Sequence, residues 1–320
     1  MAAPRLSIEQ KIDQLAALRT VEHLEDAHLQ QLREGLASRQ NLVAAKAAQV
    51  IGQKQLASFE PDLIAAFDRF MAGSDRGCIA KQQIAQALLD IGARAVEVLR
   101  RGARHVQKEP SFGGSGDAAA ELRGICALGL VRCGDPLALE VLVELLVDPQ
   151  MQVRVMAARA LGCTGYEPSA MLLRLKALVG DAEEDVTAEC LMQLMQLSPG
   201  ESLSFVEKFM DRPEASVRQA AALAIASWRD GAALKCLTDR WAADTSSEVR
   251  RELALAIATH RSEPAIDFLL ARLAEDGLPT AVGVLEALAL HRGDEAVWGR
   301  VGQVVAERDE ETLSRMYRRA

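Results

Sequence analysis

Aromatic residues are scarce in this sequence, and long apolar runs are missing from it. Phenylalanine, tyrosine and tryptophan together make up 4% of the 320 residues. A channel that stacks the bases of a single strand needs a row of such rings, and strands favour them together with β-branched residues, so both are poorly supplied here. No window approaches the ~18 uninterrupted apolar residues of a membrane span. The opening MAAPRLSIEQ lacks the apolar centre of a secretory leader. These two absences give the expectation of a soluble, cytoplasmic protein. The six cysteines, Cys78, Cys126, Cys133, Cys163, Cys190 and Cys236, include no C-x-x-C pair, which argues against a zinc ribbon or a disulfide framework. They read as reduced thiols used as small core residues. No Lys-Ser or Lys-Thr follows a glycine-rich run, so there is no P-loop.

An excess of positive charge is also missing: 37 basic against 45 acidic side chains leave a net charge of −8. Residues 1–110 hold 15 basic and 13 acidic groups and residues 111–320 hold 22 and 32, giving net values of +2 and −10. Nucleic-acid binding needs a basic stripe to displace counterions, and an anionic membrane surface attracts basic segments. The acidic two-thirds argues against both partners.

What the chain does have is apolar residues (49%), most of them Ala, Leu and Val, a mixture that suits helices packed closely on helices. At 320 residues it also exceeds the size at which one compact core stops growing. Two domains or an elongated repeat array must follow. The self-similarity favours the array. DPQMQVRVMAARALG (148–162), DAEEDVTAECLMQL (181–194), DRPEASVRQAAALAIAS (211–227) and DTSSEVRRELALAIAT (244–259) each open with Asp, turn, reach a Val and continue as an Ala-rich helix. The valines are Val153, Val186, Val217 and Val249, spaced by 33, 31 and 32 residues. Each segment follows another amphipathic stretch, so the unit is helix A, a turn with Asp, then helix B. The Asp is placed to cap helix B. Pro136, Pro168 and Pro264 fall near the starts of A helices, where a missing amide proton costs nothing. Ser7 and Gln10 form a capping-box pattern for an opening helix. The expectation is an all-α fold, an α-solenoid of about eight to nine helix pairs wound as a right-handed superhelix. Within a single array, residues 1–134 are looser repeats with an inserted loop at 107–117, residues 135–292 are regular, and residues 293–320 are capping helices.

The segment DPQMQVRVMAARALG resembles the HEAT repeat, most of all the short bacterial variety also found in phycobilisome lyases. The resemblance covers nearly the whole chain and is strongest over 136–260. HVQKEPSFGGSGDAAAELRGICALGLVR is similar to bacterial HEAT-repeat proteins, with no activity implied. The family resemblance implies a binding scaffold and a hydrogen-bond ladder between neighbouring repeats, carried by Asp148 and Arg154, Asp211 and Arg218, and Asp244 and Arg250. Thr187 follows Val186 where an arginine is expected, so the ladder should break beside Asp181.

Some HEAT-like enzymes, the deoxyhypusine hydroxylases, carry His-Glu dipeptides for a di-iron site; this sequence has none. His260 and His291, 31 residues apart and each followed by Arg, occupy one position in successive repeats. No third ligand accompanies them, so no metal or other cofactor is expected. A lyase acting on a tetrapyrrole-carrying protein is the alternative that the family resemblance leaves open. A HEAT-like DNA glycosylase is a further one, weakened because Trp228, Trp241 and Trp298 lie in the acidic part.

The loop QKEPSFGGSGD is the one long insertion in an economical array, and such loops carry function. Its glycines could cradle a phosphate, but Asp117 puts negative charge where the phosphate would sit. Arg101 and His105 stand four apart, a helical-face spacing. The candidate binding residues are therefore Arg101, His105, Lys108, Glu109, Phe112, Asp117, Glu121 and Arg123, with Phe112 as an exposed anchor. No catalytic set is recognised. The expected role is that of a non-enzymatic scaffold, binding another protein on its concave face and this loop.

Overall fold

The computed structural model describes residues 7–111 and 114–319. Among them are nineteen α-helices and one two-stranded hairpin, and the chain packs as two compact units, residues 1–164 and 165–320.

In the first unit, α1 (Ile8–Ala17) precedes four helix pairs: α2 (Asp26–Ala37) with α3 (Asn41–Gln53), α4 (Glu60–Ala72) with α5 (Ile79–Asp90), α6 (Val96–Ala103) with α7 (Ala120–Arg132), and α8 (Ala138–Leu145) with α9 (Met151–Gly162). The second holds five: α10 (Glu167–Val179) with α11 (Glu184–Leu197), α12 (Pro199–Glu207) with α13 (Ala215–Ser227), α14 (Gly231–Ala243) with α15 (Ser247–His260), α16 (Glu263–Glu275) with α17 (Leu278–Leu288), and α18 (Glu295–Arg308) with α19 (Glu311–Arg319). In each unit the second helices stack in succession, α3 on α5, α5 on α7 and α7 on α9, then α11 on α13, α13 on α15, α15 on α17 and α17 on α19. Each unit is thus an all-α solenoid of stacked helix pairs.

Alanine dominates the buried faces of these second helices. Ala44, Ala47, Ala48, Ala221, Ala224, Ala254 and Ala256 are inaccessible or nearly so, and their small side chains let backbones approach while Ile and Leu fill the gaps. The opening capping box is present: Ser7 Oγ accepts from the Gln10 amide at 3.1 Å and Gln10 Oε1 accepts from the Ser7 amide at 2.9 Å.

The turn aspartates act differently from the expected helix caps. The N-caps of α9, α11 and α15 are Gln150, Glu183 and Ser246. Asp148, Asp181 and Asp244 stand two residues earlier and accept the amides of those same residues at 2.8, 3.0 and 2.9 Å, forming Asx turns. The ladder pairs also differ from those expected. Arg154 Nη1 donates to the carbonyls of Asp148 and Pro149, and Arg218 Nη1 to those of Arg212 and Pro213. Arg250 Nε donates to the Asp244 carbonyl. Each arginine thus holds its own turn through backbone oxygens. The step between repeats uses other carboxylates, Arg218 to Glu252 at 2.9 Å and Arg250 to Asp276 at 3.5 Å. The Asp148 carboxylate goes to Arg123 and that of Asp211 to Arg240. Beside Asp181, where the arginine is replaced by Thr187, Lys176 reaches the carboxylate at 2.7 Å.

The two matching histidines serve the same stacking. His260 Nε2 lies 3.2 Å from the Asp230 carbonyl and His291 Nε2 2.9 Å from the Ala258 carbonyl, each a repeat earlier. Trp241 is buried edge-on against Phe268, and Trp298 stacks on Tyr317 at 4.8 Å.

Candidate functional site

The inserted loop is a β-hairpin. β1 (Lys108–Ser111) pairs antiparallel with β2 (Gly114–Asp117), Lys108 opposite Asp117 and Glu109 opposite Gly116. The all-α expectation makes this stretch a loop; the short, polar, proline-containing strand KEPS has no apolar alternation by which to find it. Phe112, the expected anchor, lies outside the described residues.

None of the hairpin's described residues belongs to the buried apolar core, yet polar side chains fasten it at three points. The first is Arg123 on α7, 2% exposed. Its Nη1 is 2.8 Å from Asp117 Oδ2 and donates to the His105 carbonyl at 2.9 Å. Its Nη2 donates to Asp148 Oδ1 at 3.0 Å, and its Nε lies 2.9 Å from Asp148 Oδ2. Asp117 also accepts the amides of Gln107 and Ala119 at 3.0 and 3.1 Å. Burial pushes the Asp117 pKa up, but these amides and the guanidinium outweigh it and hold the carboxyl below its ordinary value.

The second point is Glu109. Gly77 adopts φ +72, a left-handed conformation open to glycine without strain. Its amide donates to the Glu109 carboxylate at 2.8 and 3.0 Å. The Gln107 side chain and the Gly77 amide lower the Glu109 pKa. The third point is Gln107, whose Nε2 donates to the Asp75 carbonyl at 2.6 Å and to Glu109 Oε1 at 2.5 Å.

Lys81, on α5, ends in the middle of this arrangement. It is 2% exposed. Its Nζ lies 2.9 Å from His105 Nε2 and donates to Gln107 Oε1. Burial first, and then the neighbouring Lys81 charge, push the His105 pKa below its ordinary value, so the ring is neutral at neutral pH and turns a lone pair to the lysine. Asp75, 3% exposed, accepts the amides of Ala80 and Lys81 and the Asn41 side chain. Between the 71–76 segment and the hairpin lies an open cleft of about 600 Å³, lined by Asp75, Arg76, Lys81, His105, Lys108 and Glu109 among others. Cys78 is fully buried, and burial pushes its thiol up to about 12, leaving no thiolate at neutral pH.

Of the eight candidate residues, the structure brings His105, Lys108, Glu109, Asp117 and Arg123 together. Arg123 and the Asp117 carboxylate are buried and hold the hairpin from inside, so they are not surface contacts as expected. Arg101 turns away to Asp68 on α4 at 2.5 Å. Helix α6 ends at Ala103, so the helical-face argument that joined Arg101 to His105 fails beyond the helix end. Glu121 is exposed in the first turn of α7. Sequence reasoning missed Asp75, Gly77, Lys81 and Gln107. For Lys81 a signal existed: with Ile84 and Leu88 it falls at i, i+3 and i+7 on an apolar face.

The second unit offers a different surface. A groove of about 340 Å³ crosses α13, α15 and α17, with Gln219, Leu255, Gly283 and Ala287 among its lining and Glu248, Arg251, Glu252 and Glu286 beside them.

The family described as HEAT repeats matches residues 171–258 and 204–289. The match spans residues 171–289, somewhat over a third of the chain, and there the sequence is similar to HEAT repeats. Similar solved structures include YibA of E. coli (16% identical, covering 89% of this chain and 98% of that one, TM-score 0.47). The complex of CpcE and CpcF of phycocyanin lyase from Nostoc is another (16%, 97% and 96%, 0.37), and human deoxyhypusine hydroxylase a third (16%, 91% and 93%, 0.32). No curated protein matches the sequence.

Proposed function

We propose that the protein is a non-catalytic scaffold that binds another protein, using the hairpin of residues 107–117 as one contact surface and the groove across α13, α15 and α17 as another. The observation that carries this reading is the fastening of the hairpin. A buried guanidinium, two aspartates, a glutamate and a glutamine hold an element whose described residues add nothing to the core. Burying such groups is costly unless they are paired with good geometry, so a hairpin held this way is one whose position matters. The ionisable groups fixing it are engaged with one another rather than poised on a reacting atom. The neighbouring thiol is a buried, protonated one. Repeat arrays present extended surfaces suited to protein partners, and the second groove joins apolar lining to carboxylates in the manner of an interface with a polar rim.

The test is capture of partners from the native host by the tagged protein, followed by mass spectrometry. Three forms are compared: the wild type, a form with residues 110–115 replaced by Asn-Gly, and Leu255→Lys in the groove. A stoichiometric partner that the wild type retains and the hairpin variant loses is the expected result. A partner held equally by all three forms would overturn both surfaces.

A further inference from the structure

We infer that the cleft between the 71–76 segment and the hairpin is a binding site for a single carboxylate group, received by the ammonium of Lys81. The inference goes beyond the scaffold reading and stands on the cleft alone. Lys81 is 2% exposed, and its two hydrogen-bond partners, His105 Nε2 and Gln107 Oε1, are both neutral. Among the described residues no carboxylate lies within 4.0 Å of its Nζ. A buried ammonium that touches no carboxylate is costly to hold; the Glu109 charge reaches this one only through space, without contact, and the ammonium faces an open cleft of about 600 Å³.

The nearby carboxylates have other work. Both Asp75 oxygens take donors from Asn41, Ala80 and Lys81's own backbone amide. Glu109 is held by Gly77 and Gln107. The ammonium has three protons and two protein acceptors, so one donor remains for a ligand.

Charge selects the class of ligand. Three cations, Arg76, Lys81 and Lys108, and two carboxylates, Asp75 and Glu109, line the cleft. One positive charge is left over, which matches a monoanion. A phosphate dianion would meet two carboxylates and is disfavoured. The neutral His105 cannot supply further charge, since burial and Lys81 both act against its protonation. The carboxylate can belong to a free small acid or to the C-terminus of a peptide; the chemistry received is the same.

The experiment is an NMR titration of the full chain, following the Gln107 side-chain amide and the Gly77 and Lys108 backbone amides. The probes are acetate, acetamide, inorganic phosphate, and acetyl-Gly-Gly-Ala as its free acid and as its C-terminal amide. Saturable shifts at these resonances with the acids in the millimolar range, and none with the amides, are expected. Tighter binding of the peptide acid than of acetate assigns the carboxylate to a chain terminus, and the reverse order assigns it to a small molecule. Lys81→Met keeps the length of the side chain and removes a buried charge that touches no carboxylate, so the variant is expected to fold and to lose at least tenfold in affinity. A Lys81→Met form that binds acetate as the wild type does would overturn the site, as would equal binding of acids and amides or no response to any acid. Phosphate binding tighter than acetate would overturn the carboxylate assignment. If Lys81→Met fails to fold, the wild-type comparison of acid with amide still decides.

Discussion

Replacing Arg123 by methionine would leave Asp117 and Asp148, with side chains 3% and 10% exposed, without the cation between them. Breaking a buried ion pair by removing one partner costs about 3–5 kcal/mol, because the remaining charge stays buried. Arg123→Met is therefore expected to lower stability by roughly that amount, read as a shift in the urea midpoint at unchanged slope. A loss below about 1 kcal/mol would place the pair in the class of weak surface bridges and contradict the buried reading. Acid adds a second expectation at this scale. The folded His105 pKa lies below its ordinary value, so the unfolded chain binds more protons in that range. The contribution of the neutral ring is fully present above the unfolded value of about 6.5 and declines as pH falls from there through the folded value. The groups facing the ring are Lys81, Gln107, Asp117 and Arg123. His105→Gln should flatten the fall in melting temperature between about pH 7.5 and 5.5. An unaltered fall would assign it to other groups.

Helices α6 and α7 show how closely two elements can be matched. A Cβ on Gly102 would stand 2.4 Å from Cys126 Sγ, both inside the core. Gly102→Ala must therefore push the helices apart, and overpacking of this kind costs about 1–3 kcal/mol. A chemical-denaturation series should show that loss, with Gly102→Ala, Cys126→Ala recovering part of it; a neutral single variant would mean that α6 can move freely. Elements of this kind are legible in the sequence where one periodicity governs them. The Val-centred repeats from 148 to 259 are helices at the expected phase because the apolar spacing and the small residues agree there. The hairpin was not legible. Its strand alternates nothing apolar, and what fixes it is tertiary: Arg123 from α7, Asp148 from the next repeat, and a left-handed Gly77 from the preceding one. Likewise, spacing identified Arg154, Arg218 and Arg250 as repeat residues, but not that they hold backbone carbonyls while other carboxylates bridge the repeats. Spacing along a chain says which residues recur, and only the packing says which neighbour each one finds.

In a repeat array, stability is close to a sum of repeat terms and nearest-neighbour terms. A unit that keeps its own neighbour terms should then fold without the rest. The second unit does so internally. Arg174 donates to the Glu201 carbonyl, Arg218 pairs with Glu252, Arg250 with Asp276, His260 meets the Asp230 carbonyl, and Arg308 reaches the Leu273 carbonyl. All of these partners lie within residues 165–320. So do buried residues from every one of its five helix pairs, among them Leu173, Leu191, Val206, Ile225, Leu237, Ile257, Leu269, Leu288, Val301 and Leu313. Residues 165–320 expressed alone are thus expected to give a helical circular-dichroism spectrum and a cooperative urea transition. The first unit is not needed for any of the bonds just named. Arg250→Ala in the fragment should lower the urea midpoint by as much as it does in the full chain, because its partners, the Asp244 carbonyl, the Asp276 carboxylate and the Trp241 ring, are all retained. A fragment that stays unfolded, or an Arg250→Ala effect that vanishes in it, would show that the neighbour terms do not close within the unit and that the additive picture fails for this chain.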